Sequence, residues 1–191
     1  MAIDPLRFHP LNISDTCAIW NVLSSHLLHH AALAAQCFFS CTTFVVYECL
    51  FKPRTQPTPE DEELQRRLRL AQARGQFRSY SLEIDDLLEV EILERRKSLG
   101  KGELASIAFA KRTRQAFHTD DQSARKLASQ VIDEQLVQTT PQLFGWLYFQ
   151  HFLGDADKET ILSEHASLGR PLGPYFEDVY QQVLRYQSYR G

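Results

Sequence analysis

No stretch of this 191-residue sequence is long and apolar enough to suggest a membrane span. The most apolar region, Ala31 to Leu50, is broken by Gln36, Thr42, Thr43 and Glu48 and reads as a buried strand with flanks. The first ten residues carry Asp4, Arg7 and His9 and no apolar core, which argues against a secretory signal. Cysteines are few. Cys17, Cys37, Cys41 and Cys49 lie in or beside apolar runs without CxxC spacing, the pattern of buried, reduced thiols in a cytoplasmic protein. GxxxxGK[ST], GxSxG and GxGxxG are all missing, so nucleoside-triphosphate, serine-hydrolase and dinucleotide chemistry lack their motifs. There is no internal repeat and no low-complexity tract. A formal charge of −3 gives no bulk attraction to nucleic acid, although catalytic carboxylates would themselves subtract from the total.

What is present is ordinary globular material, 43% hydrophobic and 24% charged, enough for one full domain. Basic residues cluster at Arg66, Arg67 and Arg69, at Arg95, Arg96 and Lys97, and at Lys111, Arg112 and Arg114. Each cluster also fits a solvated helix face.

Leu11 to Ser14 alternates like a short strand and ends at Asp15. Ile19, Leu23 and Leu27 then recur at helical spacing, with Asp15 or Thr16 placed to cap. Phe44-Val45-Val46-Tyr47 is β-branched and aromatic, and predicts a second strand stopping at Glu48. A proline-rich connector spans Lys52 to Pro59. Thr58, Pro59, Glu60 and Asp61 open a helix whose face is Leu64, Leu68 and Ala71. Tyr80, Leu82 and Ile84 predict a third strand, and Leu87, Leu88 and Ile92 a further helix. Gly100-Lys101-Gly102 is a turn before a helix carrying Glu103, Leu104, Ile107 and Ala108. Ala116 to Thr119 reads as a strand running into Asp120 and Asp121. A helix with Ala124, Leu127, Ala128 and Val131 follows, then a last strand at Leu136-Val137 and a helical part from Pro141.

Strands alternating with helices predict an α/β fold, a parallel sheet covered on both faces, with sites at the carboxyl ends of its strands. Asp15, Glu48, Asp120 and Asp121 fall where strands should end, and the turn before Glu103 should return it to the same edge. Carboxylates gathered in one pocket repel each other unless a cation sits among them, and a hard divalent ion suits oxygen ligands and phosphodiester hydrolysis. Taken singly, each acid has a plainer role. Asp15 and Asp121 suit N-caps, Glu103 a first-turn acid, and Glu48 a strand end.

Four segments carry a resemblance: Ile13-Ser14-Asp15-Thr16, Val45-Val46-Tyr47-Glu48, Gly100 to Ala108, and Thr119 to Arg125. In this order they resemble the successive motifs of PIN domains, and the likeness runs on through Thr139 to Gly145 and the C-terminal part. The resemblance implies a three-layer α/β/α sandwich with a helical C-terminal extension. It covers residues 1–191 as a single domain, with residues 52–76 a longer loop-and-helix insertion and 141–191 a C-terminal helical part. It implies a Mg²⁺- or Mn²⁺-dependent endoribonuclease leaving 5′-phosphate and 3′-hydroxyl ends. Asp15, Glu48, Glu103 and Asp121 fall on the family's acids. Asp15, Glu103, Asp121 and Asp120 would hold metal, and the Thr-x-Asp pattern favours Asp121 over Asp120. Thr16 and Thr119 would support the site, and Arg125 would position Asp120 or a phosphate. Many relatives are homodimeric toxins of toxin–antitoxin pairs, so the expected partners are RNA, an antitoxin protein and a second copy.

Two other constellations compete. His26, His29 and His30, with Cys37 downstream, have partial zinc-ligand spacing but no closed tetrahedral set. His118 beside Thr119 could serve as a general base, yet within an inner strand a core histidine is the commoner outcome. The alternatives to a nuclease are a non-catalytic module of the same fold that binds RNA or protein, and a phosphoryl-transfer receiver. The receiver reading requires a lysine and a phosphorylatable aspartate at strand ends, which are not evident.

Overall fold

Short strands, most of them buried, and helices that in most cases open on a side-chain cap leave the chain few options other than a layered α/β arrangement. The computed structural model describes residues 4–53 and 56–189. β1 (Leu11–Ser14) leads into α1 (Thr16–Ser24) and α2 (His26–Ala34), β2 (Phe38–Thr42) runs straight into α3 (Thr43–Leu50), and α4 (Pro59–Ala73) precedes β3 (Arg78–Tyr80). α5 (Ile84–Arg96) and α6 (Lys101–Thr113) come next, followed by β4 (Ala116–His118), α7 (Gln122–Ala128), a 3₁₀ turn over Glu134–Leu136 and β5 (Val137–Gln138). The chain closes with α8 (Thr140–Phe149), α9 (Asp155–Ser167) and α10 (Gly173–Ser188).

The sheet has the order β3-β2-β1-β4-β5, and every neighbouring pair is parallel. Alternation along the strands sends side chains into two cores. Phe39 and Cys41 of β2 join the helices α1 to α4 and α8 to α10, whereas Ile13, Phe117 and Val137 join α5, α6 and α7 on the other face. The result is a mixed α/β fold with helices on both faces of a five-stranded sheet. The strand order reverses at β1 and β4, the switch point where such sheets open a crevice at their carboxyl ends. Among the described residues, no helix is long and apolar enough to cross a membrane.

Several predicted elements form as expected. Thr58 caps α4 by accepting from Asp61 N at 3.2 Å, Pro59 occupies the first turn, and Leu64, Leu68 and Ala71 are buried. Residues 54 and 55 of the connector lie outside the described residues.

The predicted strand over Phe44 to Tyr47 is instead part of α3. Thr42 caps that helix, accepting from Val45 N at 3.4 Å, and helical spacing buries Val45 and Cys49 while Phe44 and Tyr47 face out. The strand is the preceding Phe38–Thr42, so Glu48 belongs to a helix and does not follow a strand.

The third strand stops at Tyr80. Ile84 opens α5, where Asp86 accepts from Glu83 N at 2.9 Å. Leu87, Leu88 and Ile92 face solvent, and Val90 and Leu93 carry the burial instead. Leu136 lies in the 3₁₀ turn, Val131 just beyond α7, and the C-terminal helices begin at Thr140, one residue before Pro141.

Candidate functional site

At the switch point the ends of β1 and β4 are joined, because Asp15 N donates to His118 O at 3.2 Å. Asp15 is fully buried. As N-cap of α1, its Oδ1 accepts from Ala18 N at 2.8 Å, and its Oδ2 accepts from the Thr119 hydroxyl. Burial still dominates. The carboxyl is pushed up to about 7, the two hydrogen bonds opposing and the charges of Asp120 and Glu103 adding to the rise.

The other acids stand around it. Asp121 caps α7, its Oδ1 accepting from Ala124 N at 2.7 Å, while its own amide donates to Thr119 Oγ1 at 3.1 Å. Glu103 sits in the first turn of α6, where its Oε2 accepts from Gly100 N at 2.7 Å. Burial raises its pKa, and the charges of Asp121 and Glu48 raise it further against that amide bond. Glu48 reaches the same edge from α3. Its Oε1 accepts from Gly102 N at 3.0 Å and its Oε2 from the Thr16 hydroxyl at 2.8 Å. A Cβ on Gly102 would lie 2.7 Å from Glu48 Cδ, so glycine at this position is what lets the Glu48 carboxylate sit on the α6 amide.

Asp120 is committed to structure. Its Oδ1 accepts from Thr140 N at 2.9 Å, and its Oδ2 from Asn21 Nδ2 at 2.7 Å and the Thr140 hydroxyl at 2.6 Å. Because Thr140 donates its hydroxyl hydrogen to Asp120, its oxygen accepts from His118 Nε2 at 3.2 Å. His118 Nδ1 is then left to accept from the Ser14 hydroxyl at 3.3 Å. Burial pushes His118 down to about 4, with the Asp120 charge opposing, so the ring is neutral at ordinary pH and spans two hydroxyls.

Sequence reasoning missed Asn21 and Thr140, although both sit where it could have looked. Asn21 lies on the helix that Asp15 caps, with its carbonyl 2.8 Å from His165 Nε2, and Thr140 follows the last strand, whose end must reach the same edge. Cys17, in the first turn of α1, also lies beside the acids. Burial pushes its thiol up to about 12, and the charges of Asp120, Asp15 and Asp121 contribute.

Asp15, Glu48, Glu103, Asp120 and Asp121 therefore occupy one edge, linked through each other's charges and through Thr16 and Thr119. Among the described residues, however, no three His, Cys, Asp or Glu side chains are already arranged to hold a metal ion. Their oxygens are largely taken up by amides and hydroxyls. Glu103 Oε1 and Asp121 Oδ2 make no hydrogen bond among the described residues, and both residues are half-buried. An anionic cluster with two uncommitted carboxylate oxygens and one strongly desolvated member is compatible in charge and donor type with Mg²⁺ or Mn²⁺.

Beside Asp120 opens a groove of about 790 Å³ lined by Arg125, Lys126 and Tyr175 among others. Arg125 Nε is buried there without a partner. Of the histidines weighed as zinc ligands, His26 and His30 are exposed and His29 is buried.

No protein-family model matches the chain, and no curated protein and no solved structure matches it.

Proposed function

We propose that this protein is a metal-dependent endoribonuclease of the PIN type, with Asp15, Glu48, Glu103 and Asp121 as its acidic centre. The observation that carries the proposal is Asp15, a fully buried carboxyl pushed up to about 7 at the switch point, with Asp120 and Glu103 adding to its burden. A cluster of this kind is stabilised by a cation. Mg²⁺ or Mn²⁺, when bound, would supply Lewis acidity for phosphodiester hydrolysis. Glu103 and Asp121 offer the uncommitted oxygens, Thr119 orients Asp15, and Thr16 with Gly102 orients Glu48. Asp120 holds the base of the site through Asn21 and Thr140. Arg125 and Lys126 are the cations available to the RNA backbone in the adjoining groove, which Asp120, Glu134 and Asp178 also line. In the reaction a water oxygen bonds to phosphorus, the bond from phosphorus to the 3′ oxygen breaks, and that oxygen takes a proton. The products carry 5′-phosphate and 3′-hydroxyl ends.

The test is incubation of the full chain with single-stranded RNA in Mg²⁺ or Mn²⁺ and in EDTA, with both new ends mapped. Metal-dependent cleavage abolished by Asp121→Asn supports the proposal. Intact RNA with wild-type protein under every metal condition refutes it. Metal should also raise the melting temperature of the wild type and do so less for Asp15→Asn.

A non-catalytic module of the same fold is the second reading, favoured by the commitment of both Asp15 oxygens to hydrogen bonds. RNA binding without cleavage would select it. The finer reading, the toxin of a toxin–antitoxin pair, rests on the family resemblance and predicts growth arrest on induction that Asp121→Asn abolishes.

A further inference from the structure

The opposite, amino edge of the sheet holds a second pocket, of about 570 Å³, in the size range of small-molecule sites. Leu11, Phe38 and Arg78, which begin β1, β2 and β3, all line it. Its charge is of one sign. Arg74 and Arg78 are both exposed at its wall, neither meets a carboxylate among the described residues, and no Asp or Glu lines the pocket. Arg78 is held by its Nε, which donates to Gly75 O at 3.3 Å, and its terminal nitrogens make no hydrogen bond among the described residues.

Aromatic surface fills the rest. Phe38 is 56% exposed and Tyr80 42% exposed, with one face of Tyr80 stacked on Phe109 at 5.4 Å. The pocket is also lined by Phe39 and Phe77, which stack on each other at 5.7 Å. Phe77 holds a left-handed backbone at φ 47°, a conformation that costs an aromatic residue energy and that clusters at binding sites. His29 also lines the pocket. It is only 8% exposed, and its buried Nε2 has no hydrogen-bond partner, a deficit that folded proteins rarely leave unmet.

We infer that this pocket is a binding site for a nucleoside monophosphate, separate from the acidic edge and independent of the nuclease proposal. A phosphate monoester carries nearly two negative charges at neutral pH and accepts bidentate bonds, which two unpaired guanidinium groups match. The exposed rings of Phe38 and Tyr80 offer faces for a planar base. Gln76, Gln115 and Ser40 supply the donors and acceptors that a base edge requires and a plain aromatic acid does not.

Calorimetric titration of the full chain in EDTA tests this, with 5′-AMP, 5′-GMP, 5′-CMP and 5′-UMP as probes and with adenosine and inorganic phosphate as controls. EDTA removes divalent ions from the acidic edge, so phosphate is not held there through metal. At least one nucleotide should bind about tenfold or more tighter than either control. Arg74→Gln/Arg78→Gln, at two exposed positions and checked for an unchanged melting temperature, should weaken it at least about tenfold, and Phe38→Ala should weaken it as well. Failure of all four nucleotides overturns the inference. So does phosphate binding as tightly as the best nucleotide, which would make this an anion site that does not read the base. Undiminished binding by the double arginine variant would place the nucleotide elsewhere and overturn it too.

Discussion

Thr119 donates its hydroxyl hydrogen to the buried Oδ2 of Asp15, and Thr119 Oγ1 in turn accepts the amide of Asp121 at 3.1 Å. One small side chain thus ties the end of β1 to the start of α7, and it is among the groups that lower the proton affinity of Asp15. Thr119→Val keeps the shape and removes the hydroxyl. It should cost about 1–3 kcal/mol, the usual penalty for a buried acceptor left unpaired. Denaturant unfolding in EDTA checks this, and a wild-type midpoint would show that Asp15 finds another donor.

Gly102→Ala separates the role of Glu48 from fold stability. The added Cβ would press on the carboxylate end of a flexible side chain, which can swing away. Alanine also suits a helix better than glycine by about 1 kcal/mol. The melting temperature should therefore hold or rise while metal-dependent RNA cleavage falls, because Glu48 loses its seat on Gly102 N and Thr16. Full cleavage by this variant would remove Glu48 from the proposed centre.

Asp121 and Asp120 should part company on substitution. Asn caps a helix about as well as Asp, so Asp121→Asn should fold normally, whereas Asp121→Ala should lose about 1 kcal/mol. Cleavage should fall at least about a hundredfold in Asp121→Asn, because a direct ligand should cost no less than the outer-shell groups behind it. Asp120→Asn behaves differently, because its amide would face the Asn21 amide, donor against donor. Its main effect should be a loss of about 1–3 kcal/mol in stability. A stable Asp120→Asn with lost activity would reverse the two assignments.

The layered fold was legible because capped helices and short strands alternate. Thr58 with Pro59 and Glu103 after Gly100 sit where local chemistry predicts. Phe44 to Tyr47 misled because β-branched and aromatic residues also occur on a half-buried helix, and the choice was made by the Thr42 cap and by inward packing at Val45 and Cys49. Glu48 nevertheless reaches the acidic edge, from a helix and through Gly102. Asn21 and Thr140 were hidden for a different reason. Their roles depend on a contact with Asp120 across 99 and 20 residues, which no local pattern encodes.

Acid–base linkage gives the last expectation. Asp15 binds its proton more tightly folded than unfolded, with a pKa of about 7 against an ordinary 3.8. Its contribution to stability is complete below pH 3.8 and is lost as pH rises to about 7, a change on the order of 4 kcal/mol. His118 and His29 run the other way. Both are pushed by burial to about 4 from an ordinary 6.5, so their contribution is present above 6.5 and is lost as pH falls towards 4. Between pH 4 and 6.5 the aspartate therefore offsets part of the histidines' acid sensitivity. Asp15→Asn removes that offset and also the buried charge. In EDTA the variant should melt higher than wild type at pH 8, and the advantage should shrink steadily as pH falls to 4.5. Thermal melts at half-unit pH intervals measure both curves. If they run parallel, Asp15 titrates as an ordinary carboxylate, and the desolvated acid on which the nuclease proposal rests does not exist.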